Sequence, residues 1–324
     1  MWDAAEALAL RATGVSALRL HRLQLIARRA LRARGEPVPP ELAPEALWNA
    51  SAALAVPVLL ARVRAACDGP VVLMKGPEAG ARYPDAALRP CKDLDLLVEH
   101  PARAQRALLA AGFVLTGDPE LYRGIHHLRP LALPGLPLTI EVHSRPKWPD
   151  RLVEPPAAEV IEAAVPSATG VAGVLAPAPA HHAVILAAHA WAHEPLASAG
   201  RLLDVAAVAV EADREELEAV ARRWDCRRLW GVSWAASEAL FCGARAPLAL
   251  RVWARHLAGV RERTVLENHV TRLAAQPLSG AARSAGRDRD EPWSRKLARA
   301  RMALGNAFVA RSEHEDQLTE RSGA

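Results

Sequence analysis

The sequence of 324 residues predicts an α/β protein of the α+β type, with a small mixed-sheet core between two helical regions. Short apolar runs interrupted by acids indicate strands near residues 93–98 and 138–144. A Pro-rich connector precedes them, and helical periodicity dominates after residue 181. We therefore expect four segments: an N-terminal helical arm (1–44), the α/β core (45–150), an all-helical domain (151–278), and a linker with a C-terminal helix or tail (279–324).

The first 35 residues predict one or two amphipathic helices, because leucines recur at helical spacing among arginines. From Arg11 to Arg34 there are seven arginines and no acid. One interpretation is an arm that binds RNA or another polyanion. We favour a solvated helix face, because runs of like charge on helices are usually simply exposed.

The core sequence alternates between helix and strand patterns. Its elements in chain order are a helix from about Glu45 to Cys67, a strand at "PVVLM", a short helix that begins at Pro77, the strand "DLDLLV", and a helix that ends at Gly112. The runs "LYRGIHHLRPLAL" and "LPLTIEVHS" flank the turn "PGLP" and predict a hairpin.

Two aspartates interrupt the strand "DLDLLV". Because side chains alternate along a strand, Asp93 and Asp95 share one face, with β-carbons roughly 6–7 Å apart. Like charges repel, and burial adds to the cost, unless divalent cations lie in front of the carboxylates. An Asp-x-Asp pattern alone also fits an exposed edge strand with solvated acids.

A third acid, Glu141, lies in the apolar strand "LTIEVHS" and shares its face with Thr139 and His143. Three carboxylates on neighbouring strands could hold a pair of Mg²⁺ ions, an arrangement typical of phosphoryl and nucleotidyl transfer. This combination is more specific than the aspartates alone.

Lys75 and Gly76 stand between a strand and a helix start. Helix N-termini favour phosphate groups, and glycine allows close approach of the backbone. Lys75 and Arg89 add full positive charges, so we expect Lys75, Gly76 and Arg89 to bind a polyphosphate.

The segments "LMKGPEAGARYP", "KDLDLLV", "AAGF", "HHLRPL" and "IEVHSRP", within residues 70–146, resemble the bacterial family of uncharacterised nucleotidyltransferases in the DNA polymerase beta superfamily. The resemblance implies that Asp93 and Asp95 bind Mg²⁺ or Mn²⁺ and that Glu141 completes the triad and acts as a base. It places Lys75 and Gly76 at the triphosphate, although the turn lacks the Gly-Ser of the wider superfamily.

Other polar residues have less specific patterns. His127 and His143 match positions of the resembled family and are expected on the acceptor side; a packed histidine is the alternative. Asp204 is a single acid in an apolar helix, which predicts a pair with Arg201 or a place in the cleft. His189 and His193 have the spacing of zinc ligands, but no HExxH order is present, so we favour a polar contact between helices or a wall of the substrate pocket.

The predicted reaction is transfer of a nucleoside monophosphate from an NTP to an acceptor, with release of pyrophosphate. The acceptor would be a small molecule, a peptide or a protein, with nucleic acid less favoured. The alternative is an inactive relative that binds nucleotide or a partner as a regulator. Four scattered cysteines, no signal peptide and no membrane span favour a cytoplasmic protein.

Overall fold

The structure is a computed structural model that describes residues 1–150 and 152–275. It confirms the predicted fold class, a mixed α/β architecture with helical N-terminal and C-terminal parts. The linker and C-terminal helix or tail predicted for residues 279–324 lie outside the described residues.

Helices account for most of the described chain. They are α1 (Trp2–Ala9), α2 (Val15–His21), α3 (Gln24–Ala33), α4 (Ala43–Ala66), α5 (Pro77–Gly80), α6 (Pro101–Ala110), α7 (Ala157–Glu162), α8 (Pro179–His193), α9 (Ala199–Ala209), α10 (Arg214–Arg223), α11 (Arg227–Phe241), α12 (Leu248–Trp253), α13 (Arg255–Gly259) and α14 (Val265–Ala275). The strands are β1 (Val71–Leu73), β2 (Asp93–Val98), β3 (Val114–Leu115), β4 (Leu131–Ala132), β5 (Thr139–His143), β6 (Val165–Pro166) and β7 (Val174–Ala176).

The strands form one sheet with the order β3-β4-β5-β2-β1-β7-β6. The predicted hairpin is present, since β4 pairs antiparallel with β5 and Leu131 lies opposite Ile140. The two central strands β2 and β5 run parallel. Strands β6 and β7 come from an Ala/Pro-rich segment that follows the core in the sequence, and β7 continues the sheet beside β1.

Apolar side chains on the two faces of the sheet enter two separate cores. Leu94 and Leu96 of β2 pack with Leu59 and Leu60 of α4. Leu97 packs in the larger core with residues of α8 and α9, including Leu203. Because strand side chains alternate, Asp95 shares the face of Leu97 and is directed towards the helices α8 and α9.

The N-terminal helices are part of the larger core. Leu8, Leu23 and Ile26 are buried in the same cluster as Leu203 and Trp230. The leucine stripe predicted from periodicity therefore packs against α9 and α11. The arginines between the leucines lie outside this core and are exposed or half-buried.

Helix α4 has one buried and one exposed apolar face. By length and composition alone, residues 40–66 form the one helix among the described residues that could cross a membrane, which is weak evidence by itself. Leu59 and Leu60 are fully buried beneath the sheet, whereas Leu47 and Leu54 are exposed. The buried face is that of a core helix.

Gly200 in α9 allows α2 to approach closely. A Cβ at this position would lie 2.7 Å from the backbone oxygen of His21 and 3.0 Å from that of Arg22. Backbone atoms cannot rotate away, so Gly200→Ala should destabilise the protein by about 1–3 kcal/mol. Urea denaturation measures this change.

The matched control is Gly231→Ala in the exposed face of α11, where a Cβ would meet nothing within 4 Å. This variant should gain about 0.5–1 kcal/mol, because alanine is the better helix former. Equal changes in the free energy of unfolding would contradict the close packing of α2 on α9.

Candidate active site

The register of β2 and β5 brings the acidic residues together. In this parallel pair Asp95 lies beside Glu141, and Leu97 lies beside His143. Alternation then places Asp95, Glu141 and His143 on the same face of the sheet. The shared face was predicted for each strand separately, but the pairing of the two strands comes from the fold.

We call Asp95, Glu141 and His143 the Asp–Glu–His cluster. One potential ligand atom from each residue lies within 4.8 Å of the others. His143 Nε2 is 3.0 Å from Asp95 Oδ1 and 3.5 Å from Glu141 Oε2. His127 Nε2 is 3.5 Å from the same glutamate oxygen. His143, predicted on the acceptor side, thus lies within the cluster itself.

The cluster fits a divalent cation. Asp95 Oδ1 and His143 Nε2 are buried and form no well-oriented hydrogen bond among the described residues, although Lys75 Nζ lies 2.7 Å from Asp95 Oδ1. Buried polar atoms normally have a well-formed partner. Carboxylate oxygens with an imidazole nitrogen are common ligands of divalent metals, so a cation in front of these atoms would satisfy both.

Asp93 lies near the Asp–Glu–His cluster but outside it. It lines the same cavity, but its carboxylate is not among the three grouped ligand atoms. Burial, followed by repulsion from Asp95, raises the pKa of Asp93. Its assignment as a metal ligand stays a prediction.

Lys75 is the cation that touches the cluster. Its Nζ lies 2.7 Å from Asp95 Oδ1 and 2.7 Å from His189 Nε2. Burial would raise the pKa of Asp95, but the charge of Lys75 and the contact with His143 hold it well below its usual range. Burial and Lys75 also keep the pKa of His189 well below its usual value. A charged Lys75 therefore donates to a neutral His189 and neutralises Asp95.

Gly76 turns the chain immediately beside β2. Its φ of 61° lies in the region that side chains rarely adopt, and a Cβ would approach the Asp93 carbonyl oxygen to 3.0 Å. The following helix α5 has only four residues, so its dipole contributes less to an anion site than the sequence suggested. The role of Gly76 at a triphosphate is untested.

Arg89 and Asp204 form a buried pair. Arg89 Nε and Nη2 donate to the two oxygens of Asp204 at 2.8 Å each. The hydroxyl of Tyr83 also donates to this carboxylate. Burial lowers the pKa of Arg89, but Asp204 outweighs this effect and raises it. Asp204 thus pairs with Arg89 rather than Arg201. This ion pair links α9 to the segment before β2.

A cavity of about 610 Å³ lies between the sheet and the helices α8 and α9. Most residues that the sequence proposed for the site line it, namely Lys75, Gly76, Arg89, Asp93, Asp95, His127, Glu141 and Asp204. Sequence reasoning assigned no site role to Arg22 or Lys147, which also line it. Arg22 belongs to the arginine run, and no local pattern distinguishes it from its exposed neighbours.

A sheet that directs carboxylates from adjacent strands into a polar cavity is typical of metal-dependent phosphoryl-transfer and nucleotidyl-transfer proteins. The family described as uncharacterised nucleotidyltransferase matches residues 12–241, well over half of the chain. The chain belongs to this family. No curated protein and no solved structure gave a match. The matched range begins before α2 and includes α9, so helices on both sides of the core belong to the family unit.

Asp204→Asn should destabilise the protein by about 3–5 kcal/mol, because it leaves the Arg89 guanidinium buried without a counter-charge. Tyr83→Phe, which removes one hydrogen bond to the same carboxylate, should cost only about 1 kcal/mol. Urea denaturation compares the two. If both variants lost a similar, small amount of unfolding free energy, the Arg89–Asp204 pair would contribute little to stability.

Lys75→Met should tighten Mn²⁺ binding by about tenfold, since it removes the positive charge that competes for Asp95. Isothermal titration calorimetry at neutral pH measures this affinity. Asp95→Asn is the control and should abolish measurable binding. Weaker binding in Lys75→Met would mean that the lysine supports the metal site instead of competing with it.

Proposed function

We propose that this protein transfers a nucleoside monophosphate from an NTP to an acceptor, with release of pyrophosphate and with dependence on Mg²⁺ or Mn²⁺. The observation that carries the proposal is the in-register pair of Asp95 and Glu141, in a chain of a nucleotidyltransferase family. The buried ligand atoms of Asp95 and His143 support a cation at this place.

Asp95, Glu141 and His143 would hold the cation, with Asp93 close by. When bound, the cation supplies positive charge to the reacting phosphate oxygens and to the leaving pyrophosphate. Lys75 neutralises the charge of Asp95 while no cation is bound, and it therefore competes with the cation for this carboxylate.

In this proposal Glu141 accepts the proton of the acceptor. Its side chain is 21% exposed, whereas those of Asp95 and His143 are 1% exposed, so Glu141 reaches furthest into the cavity. The acceptor hydroxyl would give its proton to a Glu141 oxygen as its own oxygen bonds to the α-phosphorus. The bond from the α-phosphorus to the bridging oxygen breaks, and pyrophosphate leaves.

The walls of the cavity would position the two substrates. Leu186, His189 and His193 of α8 cover the cluster from the side of the helices. Burial lowers the pKa of His193 to about 3, and that of His189 is also depressed, so this wall adds polarity without charge. Ile125 and His126 border the end next to Glu141, where the acceptor would enter.

The test uses purified protein, each of the four α-labelled NTPs, and Mg²⁺ or Mn²⁺. Label transfer to the protein itself and to small-molecule and peptide acceptors is measured together with pyrophosphate release. Asp95→Asn and Glu141→Gln should each reduce the rate by at least about 100-fold, because each removes a charge that the reaction requires.

Asp68→Asn is the control for loss of one carboxylate. The side chain of Asp68 is 80% exposed and lies outside the cavity, so this variant should keep full activity. Turnover by Asp95→Asn at the wild-type rate would contradict the proposal. Nucleotide binding without turnover in the wild-type protein, with every acceptor tried, would favour the inactive, regulatory alternative.

A further inference from the structure

The cations that the sequence assigned to the phosphate chain already have carboxylate partners. Lys75 contacts Asp95, and Arg89 makes two hydrogen bonds to Asp204. A polyphosphate carries several negative charges and needs cations that are not yet neutralised. The other basic residues of the cavity are therefore the candidates for binding it.

Among the described residues, two arginines of the cavity lack a carboxylate partner, and Lys147, which also lacks one, contacts His193 instead. Within residues 1–150 and 152–275, no carboxylate lies within ion-pair distance of Arg22 or Arg201. Both side chains are half-buried, unlike those of Arg19 and Arg29 in the same arginine run, which are exposed. Half-buried cations without counter-ions are costly, which distinguishes them from an ordinary solvated charge run.

Arg22 follows the last residue of α2 and is held next to the metal-binding strand. Its φ of 58° and ψ of 33° are left-handed, an uncommon conformation for a residue other than glycine. Its Nη2 donates to the carbonyl oxygen of Pro90 at 2.8 Å. The guanidinium is close enough to Asp93 to counter the rise in the pKa of that carboxyl. Arg22 thus connects the end of α2 to the segment that precedes β2.

Arg201 belongs to α9, the helix against which Arg22 packs, and it lines the same cavity. It follows Gly200, the residue whose missing side chain lets the backbone of His21 and Arg22 contact α9. Burial, and then repulsion from Arg22, lower the pKa of Arg201 to about 10. The close packing of α2 on α9 therefore forces two like charges together at the edge of one cavity, and a bound anion would relieve that repulsion.

We propose that Arg22 and Arg201 bind the polyphosphate of the nucleotide, so that the N-terminal helices complete the nucleotide site. This inference rests on the proposed function and deepens it. The phosphate chain would lie between the two guanidinium groups, with its α-phosphate end towards Asp93 and Asp95. Guanidinium groups suit this role because their N–H donors match phosphate oxygens.

The test measures binding of inorganic tripolyphosphate by calorimetry in the presence of EDTA, with the full-length protein. Arg201→Gln and Arg22→Asn should each weaken binding by about tenfold, the loss expected for one charge-assisted contact. Asparagine is chosen at position 22 because it tolerates the left-handed backbone. Urea denaturation of each variant verifies that a loss of affinity is not a loss of fold.

Two variants control for the general effect of lost charge. Lys147→Gln removes a cation of the same cavity, which contacts His193 at the side of Glu141, and should change affinity less than threefold. Arg228→Gln removes an exposed cation of α11 and should have no effect. If Lys147→Gln and Arg201→Gln weakened tripolyphosphate binding equally, the affinity would come from the general positive potential of the cavity. That result would overturn the assignment.

The source of the phosphate is tested with ATP and orthophosphate under the same conditions. Parallel losses for tripolyphosphate and ATP, with little change for orthophosphate, support the nucleotide. A loss confined to orthophosphate would point to a phosphorylated acceptor and overturn the assignment, as would unchanged binding in both arginine variants. Tripolyphosphate binding through these arginines in a protein that transfers no nucleotide would refute the proposed function alone.

Discussion

The contact between Lys75 and Asp95 is the interaction on which the site depends. Asp95 is 1% exposed in the centre of the sheet, and a carboxylate at that depth is stable in its charged form only with a nearby cation. Lys75 supplies that charge from the end of β1, and Gly76 then turns the chain away in a conformation that only glycine adopts easily. The same lysine contacts His189, so it also links the sheet to the helical wall of the cavity.

The helical parts of the chain complete the site as well as covering it. Asp204 of α9 holds Arg89 through two hydrogen bonds, and the N-terminal helices pack on α9 in one continuous core. The carboxylates of the cavity therefore lie mainly on the sheet. Two of its cations, Arg22 after α2 and Arg201 of α9, lie on the side of the helices. This division of charge suits a ligand that combines a cation with an anionic phosphate chain.

Sequence reasoning identified the residues whose position depends on strand alternation. Asp95 and Glu141 were found because each interrupts an apolar strand, and the structure brings them together. Asp93, the first aspartate of the predicted triad, is near but outside the cluster, while His143 lies inside it. Alternation gives the face of a side chain, but the distance between side chains on different strands depends on the register of the pairing.

The sequence by itself determined the fold class and the strands that carry the acids, and it indicated a backbone turn at Gly76. Each follows from local rules, namely periodicity, side-chain alternation and backbone conformation. Only the tertiary structure decided which charges neutralise one another. Arg89 meets Asp204 across more than a hundred residues of chain, and Lys75 meets Asp95 from the neighbouring strand. Such pairs depend on how helices pack onto the sheet, and for the same reason Arg22 and Arg201 have no carboxylate partner among the described residues.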